Sequence, residues 1–537
     1  MLSSNNNQSS GKWWQKGIIY QIYPRSFKDE NNDGIGDLEG IISKLDYLKW
    51  LGVDAIWLSP HYPSPMEDFG YDVSDYTGVH EMFGTLEDMD ELIEKAHKLG
   101  LRIILDYVPN HSSAEHPWFK ESQSSRDNPK RDWYVWQDAK EDGSPPNNWI
   151  CVPGGSAWEW DEQTKQYYLH SFLPCQPDLN WRNPELRKAM LDVLRFWLDR
   201  GVDGFRIDMI SWLMKDPEFR DDPSNPEYDP KTHFYEFRKL NHVYSKDGPG
   251  LFDLLREFRQ LLDEYGEDRI YIGEMDYYLP LETMQQYYEN GIHLPANFRF
   301  IYLPWEAASI KGFLHSYEKT SPSYANYQLG NHDQSRIASR ITREQARIAA
   351  MMLLTLRGTP FIYYGEELGM CDVPIPADQM QDPWEKTEPG KGRDPVRTPM
   401  QWSSAPNAGF SNVKPWLPVA DDFDKFNVEN EQKEPKSFLN LYQKLISLRK
   451  ENLALSLGSY RSENDVPKDC FVYYRQYGKE RFIIALNFTD KQQEITLPSL
   501  KGGYIILSTH LDREEPLKSN TVTIRRNEGC VITILEV

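Results

Sequence analysis

From Gly17 onward the chain keeps returning to short apolar runs, each followed by an amphipathic helical pattern. The runs are "GIIYQIY", "AIWL", "RIILDYV", "GFRID", "IYIGE", "FRFIYL", "YQLG" and "PFIYYG". Strands separated by whole helices cannot pair as hairpins, so they lie parallel with the helices packed against their faces. Eight such units predict an α/β fold of the (β/α)8 TIM-barrel type. The punctuation agrees: Thr85 with Asp88 opens a helix that Gly100 closes, and Asn183 with Pro184 opens one that Gly201 closes.

Two segments break the rhythm. Residues 109–180 are rich in Trp, Pro, Asn and Ser and too long for an ordinary connection, so they read as a subdomain inserted after strand three. An irregular stretch at about 366–424, carrying "GRDPVRTPMQW", follows the eighth run and is expected on the same barrel face. Past a helix near Ser437–Glu451, short alternating runs such as "CFVYYRQY" and "RFIIALNF" predict a C-terminal antiparallel β-sandwich over 452–537. The barrel itself then takes 1–108 and 181–451.

Charge narrows the partners. A formal net charge of -22 argues against nucleic acid and against an anionic membrane surface, and suits a soluble protein handling neutral or cationic ligands. Cys151, Cys175, Cys371, Cys470 and Cys530 are scattered and odd in number, which disfavours a disulfide framework or structural zinc. The start, "MLSSNNNQSSGKWW", lacks the apolar core of a signal peptide, and "AAMMLLTL" is too short to span a bilayer. A cytoplasmic location is expected.

Polar residues gather at the carboxyl ends of the predicted strands, where barrel enzymes assemble their sites. Strand three ends with Asp106, Asn110 and His111; strand four with Arg206 and Asp208; strand five with Glu274; strand seven runs into His332 and Asp333. One acid at a strand end is ordinarily a cap. Charges set directly against several apolar strand ends are costly without a purpose, so these predict one pocket. Two carboxyls in different protonation states are the minimum for glycoside hydrolysis, and Arg206 sits two residues before Asp208, on the same strand face.

Near the start, "KDENNDGIGDLEG" places Asp29, Asn31, Asp33, Ile35 and Asp37 at alternating positions around Gly34. Curled inward, their side-chain oxygens and the Ile35 carbonyl would suit a hard cation, although Gly40 stands where an EF-hand needs its bidentate Glu. The competing reading is a solvated polar loop that caps the helical stripe Leu38, Ile41, Ile42, Leu45, Leu48 and Leu51.

Four motifs together, "DYVPNH" at 106–111, "GFRID" at 204–208, "GE" at 273–274 and "GNHD" at 330–333, resemble the α-amylase family of retaining glycoside hydrolases. A fifth, "QPDLNW" at 176–181, resembles its α-glucosidase and oligo-1,6-glucosidase branch, and the likeness extends from "YQIYPRSF" to "RTPMQW". The resemblance implies Asp208 as nucleophile, Glu274 as general acid and base, and Asp333 as stabiliser, with carboxyls about 5 to 5.5 Å apart in a double displacement. It implies a glucose subsite of Asp68, Tyr71, His111, Phe172, Arg206, His332 and Arg397, closed at one end by Asp68 and Arg397. It also implies that residues 29–37 hold Ca2+ (or Mg2+) for structure, with no organic cofactor.

The implied reaction is exo-acting hydrolysis of terminal α-linked glucose from short oligosaccharides or aryl glucosides. Transfer or isomerisation through the same covalent intermediate is the alternative, with a non-catalytic binding subunit behind it. Met209, after the nucleophile, departs from the Val of oligo-1,6 members and from the smaller or hydroxylated residue of α-1,4 members, leaving the linkage preference open.

Overall fold

The computed structural model describes residues 11–231, 236–276, 279–320, 324–387, 389–497, 500 and 502–534; the polar first ten residues lie outside these. Eight parallel strands form one sheet: β1 (Ile19–Ile22), β2 (Ala55–Leu58), β3 (Arg102–Tyr107), β4 (Gly204–Ile207), β5 (Ile270–Gly273), β6 (Leu294–Pro295), β7 (Asn326–Gln328) and β8 (Thr359–Tyr363). Their order is β7-β8-β1-β2-β3-β4-β5-β6. The seam between β6 and β7 is closed by a side chain: Asn326 donates to the Pro295 carbonyl (2.6 Å) and accepts from the Asn297 amide (2.9 Å).

The sixth strand differs from expectation. The run "FRFIYL" is not a strand; Arg299–Tyr302 forms a helical turn, and β6 is the two-residue Leu294–Pro295 upstream. A short continuous apolar run has no period that separates a buried strand from a buried helical turn, and here Phe300 stacks on Tyr327 at 4.9 Å.

Period two decides what faces inward. Ile19, Ala55, Trp57, Ile104, Ile270, Ile272, Leu294 and Phe361 pack together in the lumen. Their neighbours Tyr20, Ile22, Ile56, Ile103, Leu105 and Phe205 join the larger core under the helices. Capping follows the predicted signals: Thr85 and Asp88 form a reciprocal capping box, and the Asn183 side chain accepts from the amides of Glu185 and Leu186.

Residues 109–180 carry a helix, Pro117–Ser124, and a three-stranded antiparallel sheet. After Ser456 the chain makes a six-stranded and a two-stranded antiparallel sheet. One face of the larger sheet, with Val472, Ile483, Ala485, Cys530 and Ile532, meets Ile495 and Val522 of the smaller. Its other face, with Phe471, Tyr473, Ile484 and Val531, packs into the barrel's outer core.

Two fully buried arginines fasten this junction, and among the described residues they bond to carbonyls and form no ion pair with an acid. Arg449 donates to the carbonyls of Leu354, Leu356, Leu455 and Gly358, and Arg475 to those of Thr355, Leu455, Ser456 and Gly458. Just after β8 lie two adjacent buried acids. Tyr442 donates to Glu366 (2.9 Å), while Tyr20 (2.6 Å) and Tyr47 (2.8 Å) donate to Glu367.

Candidate active site

The register that aligns Asp106 with Arg206 sets both at the carboxyl end of the lumen. Arg206 is the hub. Its Nη1 lies 2.9 Å from Asp106 Oδ1 and 2.6 Å from Asp208 Oδ1, and its Nη2 lies 2.5 Å from Glu274 Oε2. Trp57 Nε1 (3.2 Å) and Tyr71 Oη (3.1 Å) also donate to Asp106. Three buried acids share one buried guanidinium, a geometry that orients each carboxylate and keeps none of them wholly unpaired.

Backbone bonds fix the two central acids. The Asp208 amide donates to the Tyr107 carbonyl (2.8 Å), the Glu274 amide to Ile207 (2.9 Å), and the Ile210 amide returns to the Glu274 carbonyl (2.8 Å). Between them Met209 is left-handed (φ 41°, ψ 47°), a conformation that costs a non-glycine residue on the order of 1 kcal/mol or more. It turns the Met209 amide toward Glu274 Oε2 at 3.3 Å.

The remaining predicted residues converge on this hub. His332 accepts from the Gln21 amide at Nδ1 (2.9 Å), so its proton sits on Nε2, which meets Tyr71 Oη at 2.8 Å. Tyr71 stacks on the His332 ring within 6°. His111 Nε2 meets the Tyr71 carbonyl (3.1 Å), and Phe172 packs between the rings of His111 (5.1 Å) and Trp212 (6.1 Å). Arg397 donates to Asp333 Oδ1 and to the His332 carbonyl, each at 2.8 Å.

Asp68 does not pair with Arg397. Its partner is Arg393, at 2.7 Å, and the same guanidinium reaches Asp333 Oδ1 at 3.4 Å while Asp382 holds it from behind. Gln176 adds a bond to Asp68 (3.1 Å). Sequence reasoning missed Arg393, Asp382 and Gln176. Arg393 and Arg397 are four residues apart in "GRDPVRTPMQW", and a tally of unpaired strand-end acids asks for both cations. The "QPDLNW" motif also supplies Asp178, whose carboxylate takes Lys215 Nζ at 2.6 Å; Lys215 reaches Asn110 as well, at 2.9 Å. This buried pair ties the end of strand three, the inserted segment and the loop after Asp208 together.

Environment separates the acids. Burial pushes Glu274 well above the ordinary carboxyl range, and the charges of Asp208 and Asp333 add to it against Arg206. Burial opposes ionisation of Asp333 too, but the surrounding cations outweigh it and hold that carboxyl low. His332 is pushed down to about 3 by burial, so at neutral pH the work falls to Arg393, Arg397 and Arg206. The arrangement therefore sets a proton-holding Glu274 in the same pocket as an ionised Asp333, and acid–base glycoside cleavage needs carboxyls in unlike protonation states.

A separate cleft of about 210 Å3, lined by Tyr134, Trp136, Trp181 and Lys215, contains none of these acids. Its Trp136 ring is already covered by Phe119 and the Arg131 guanidinium.

The 29–37 loop lies apart from the hub. Asp29 and Asp37 are buried, whereas Asn31 and Asp33 are exposed. Asp29 accepts from the amides of Asn32 (2.7 Å) and Gly34 (2.8 Å). Asp37 accepts from Glu30 and Asn31 (3.0 Å each) and, as helix cap, from Gly40 (2.6 Å). Gly34 is left-handed (φ 92°), and a Cβ there would stand 2.4 Å from the Lys414 carbonyl. Among the described residues no Lys or Arg side chain ion-pairs with Asp29 or Asp37. Burial raises the Asp37 carboxyl despite its amide bonds, and repulsion from Asp29 adds to the effect.

Two buried, mutually repelling acids with spare lone pairs form the all-oxygen donor set that a hard cation takes, so the chemistry fits. The carboxylates of Asp29, Asp33 and Asp37 do not converge on one point. Among the described residues, the one group of three His, Cys, Asp or Glu ligand atoms within 4.8 Å of each other is His510, Asp512 and Glu528. There Arg525 pairs with both acids, which makes it a salt-bridge network.

The family described as Alpha amylase, catalytic domain, matches residues 21–458. The chain is 41% identical to a probable alpha-glucosidase of Rhizobium meliloti (strain 1021), over 94% of this chain and 95% of that one. It is 39% identical to the oligo-1,6-glucosidase of Parageobacillus thermoglucosidasius, over 94% and 96%. Among solved structures, the alpha-glucosyl transfer enzyme XgtA superposes with a TM-score of 0.92 at 38% identity, covering 98% of this chain and all (100%) of that one. The trehalulose synthase MutB gives a TM-score of 0.89 at 36% identity, with 98% and 100% covered.

Proposed function

The chain belongs to the α-amylase family and is a glycoside hydrolase of its α-glucosidase branch, and from that premise we propose how it acts. It releases terminal α-linked glucose from short oligosaccharides, disaccharides and aryl or alkyl α-glucosides, with retention. The observation that carries this reading is the guanidinium of Arg206 holding Asp106, Asp208 and Glu274 together while Asp333 sits among arginines.

Asp208 attacks the anomeric carbon as Glu274 gives its proton to the departing oxygen, forming a glucosyl ester and free aglycone. The Glu274 carboxylate then takes a proton from water. That water displaces Asp208, and glucose leaves in its original configuration. Asp333 and Asp68, steered by Arg397 and Arg393, are placed to accept sugar hydroxyls, and the Arg393 bridge between them favours a pocket closed at one end. A closed end suits removal of single terminal units.

Likeness to a glucosyl transfer enzyme and a trehalulose synthase favours a second outcome, in which an acceptor sugar or alcohol replaces water. Both outcomes are read in one experiment: product separation after incubation with maltose, isomaltose, sucrose, trehalose and an aryl α-glucoside, with Asp208→Asn alongside. Nucleophile-dependent glucose release supports hydrolysis, and new glucosides at high substrate support transfer. No turnover by folded wild type sinks the reading.

We assign the 29–37 loop a structural Ca2+ or Mg2+, with Asp29 and Asp37 as buried ligands and Asn31, Asp33 and the Ile35 carbonyl drawn in around the ion as it binds. Bound there, the ion would neutralise the Asp29–Asp37 repulsion. No helix among the described residues is long and apolar enough to cross a membrane, and all five cysteines are free thiols, which favours a reducing compartment such as the cytoplasm.

A further inference from the structure

The loop that follows β2 carries Asp68 and Tyr71 into the site along a turn that its own backbone disfavours. Met66 (φ 64°), Phe69 (φ 49°) and Gly70 (φ 103°) are all left-handed, and two of the three have a side chain that resists it. Such a turn persists only where neighbouring groups over-determine it.

Asp72 is the group that does so. Its Oδ1 accepts from Ser64 Oγ (2.8 Å) and from the Asp68 amide (3.0 Å), and its Oδ2 accepts from the Glu67 amide (2.9 Å). Ser64 Oγ in turn accepts from the Met66 amide (2.9 Å), so both sides of the strained turn hang from one carboxylate. Asp72 is fully buried, yet among the described residues no cation pairs with it. Burial pushes it up to about 6, an unfavourable setting for an acid whose only part is to tie a loop together. Asp68, four residues earlier, is the only side chain of this turn that meets Arg393.

We propose that Asp72 is a positioning residue for the glucose subsite: it fixes the Asp68 backbone so that the Asp68 carboxylate reaches Arg393 and the terminal sugar. This rests on the α-glucosidase reading. Asp72 itself touches none of the groups placed to meet substrate except through the Asp68 amide.

A double-mutant cycle on hydrolysis of an aryl α-glucoside tests it, using wild type, D68N, D72N and D68N/D72N, with melting curves for each. D72N is expected to raise KM by about tenfold with a smaller change in kcat, because sugar holding rather than bond cleavage is disturbed. The double variant is expected to be no worse than D68N alone, since Asp72 acts through Asp68. Losses that multiply independently in an active enzyme, or a wild-type KM for folded D72N, overturn the inference while leaving the α-glucosidase reading intact. Should D72N fail to fold, S64A, which removes one of the three bonds, goes through the same cycle with the same criteria. Folded wild type that releases no glucose strikes the reading itself, and with it the inference.

Discussion

Two of the ways in which the protein buries acids stand in contrast. At the strand ends Asp106, Asp208, Glu274 and Asp333 face arginines supplied by the chain, whereas Asp29 and Asp37 accept from backbone amides and, among the described residues, pair with no Lys or Arg. A covalently fixed cation leaves a site complete and its acids individually tuned. Amides alone leave net negative charge, which an ion from solution can balance. The first arrangement is suited to chemistry and the second to a removable clamp.

Four experiments break or sharpen that contrast. Asp208→Asn should lower kcat on an aryl α-glucoside on the order of 10⁴-fold or more while the melting temperature stays within a few degrees, because shape and Arg206's other partners remain. Arg206→Ala should cost about 3 to 5 kcal/mol in denaturant unfolding, since it strands several buried acids at once. A loss under about 1 kcal/mol would mean that the hub is not what neutralises them. Chelation should lower the melting temperature by roughly 5 °C and leave kcat/KM at 25 °C within about twofold, as loss of a ligand bound only by the folded state does. An unchanged melting temperature in chelator, with metal content confirmed as zero, removes the clamp from the comparison.

The smallest effect concerns a third manner of burial, in which tyrosines replace both arginine and amide. Burial pushes Glu366 up to about 8, with the Glu367 charge adding. Its folded pKa lies above the unfolded value, so the folded state binds the extra proton. The associated stability is complete below about pH 4 and is lost as pH rises through 8. Glu366→Gln should flatten the fall of melting temperature between about pH 5 and 8 by a degree or two. Parallel curves for wild type and variant would show that Glu366 does not hold its proton.

What was legible in the sequence follows from the range of the forces involved. Strand alternation and caps are local, so Ile19, Trp57, Asp106 and Arg206 declare their faces within a few residues. Asp208, Glu274 and Asp333 stand out because charge at an apolar strand end is costly enough to need a reason. The pairing of Asp68 with Arg393 joins positions 325 residues apart, through a segment with no periodicity. The stretch "FRFIYL" failed for a different reason: apolar content alone does not choose between a strand and a helical turn. Asp72 had no local signal at all, being one acid among several in "EDFGYDVSDY".

The arginines at the C-terminal junction bear on how the chain comes into being. The carbonyls of Leu354, Thr355, Leu356 and Gly358, which lead into the last barrel strand, are capped by Arg449 and by Arg475, the latter 62 residues before the end of the 537-residue chain. A ribosome that has just released β8 has therefore made a barrel whose final approach is still open to water. The C-terminal sheets thus take part in sealing the barrel, since a chain cut before Arg475 would leave the carbonyls of Thr355, Ser456 and Gly458 without that donor.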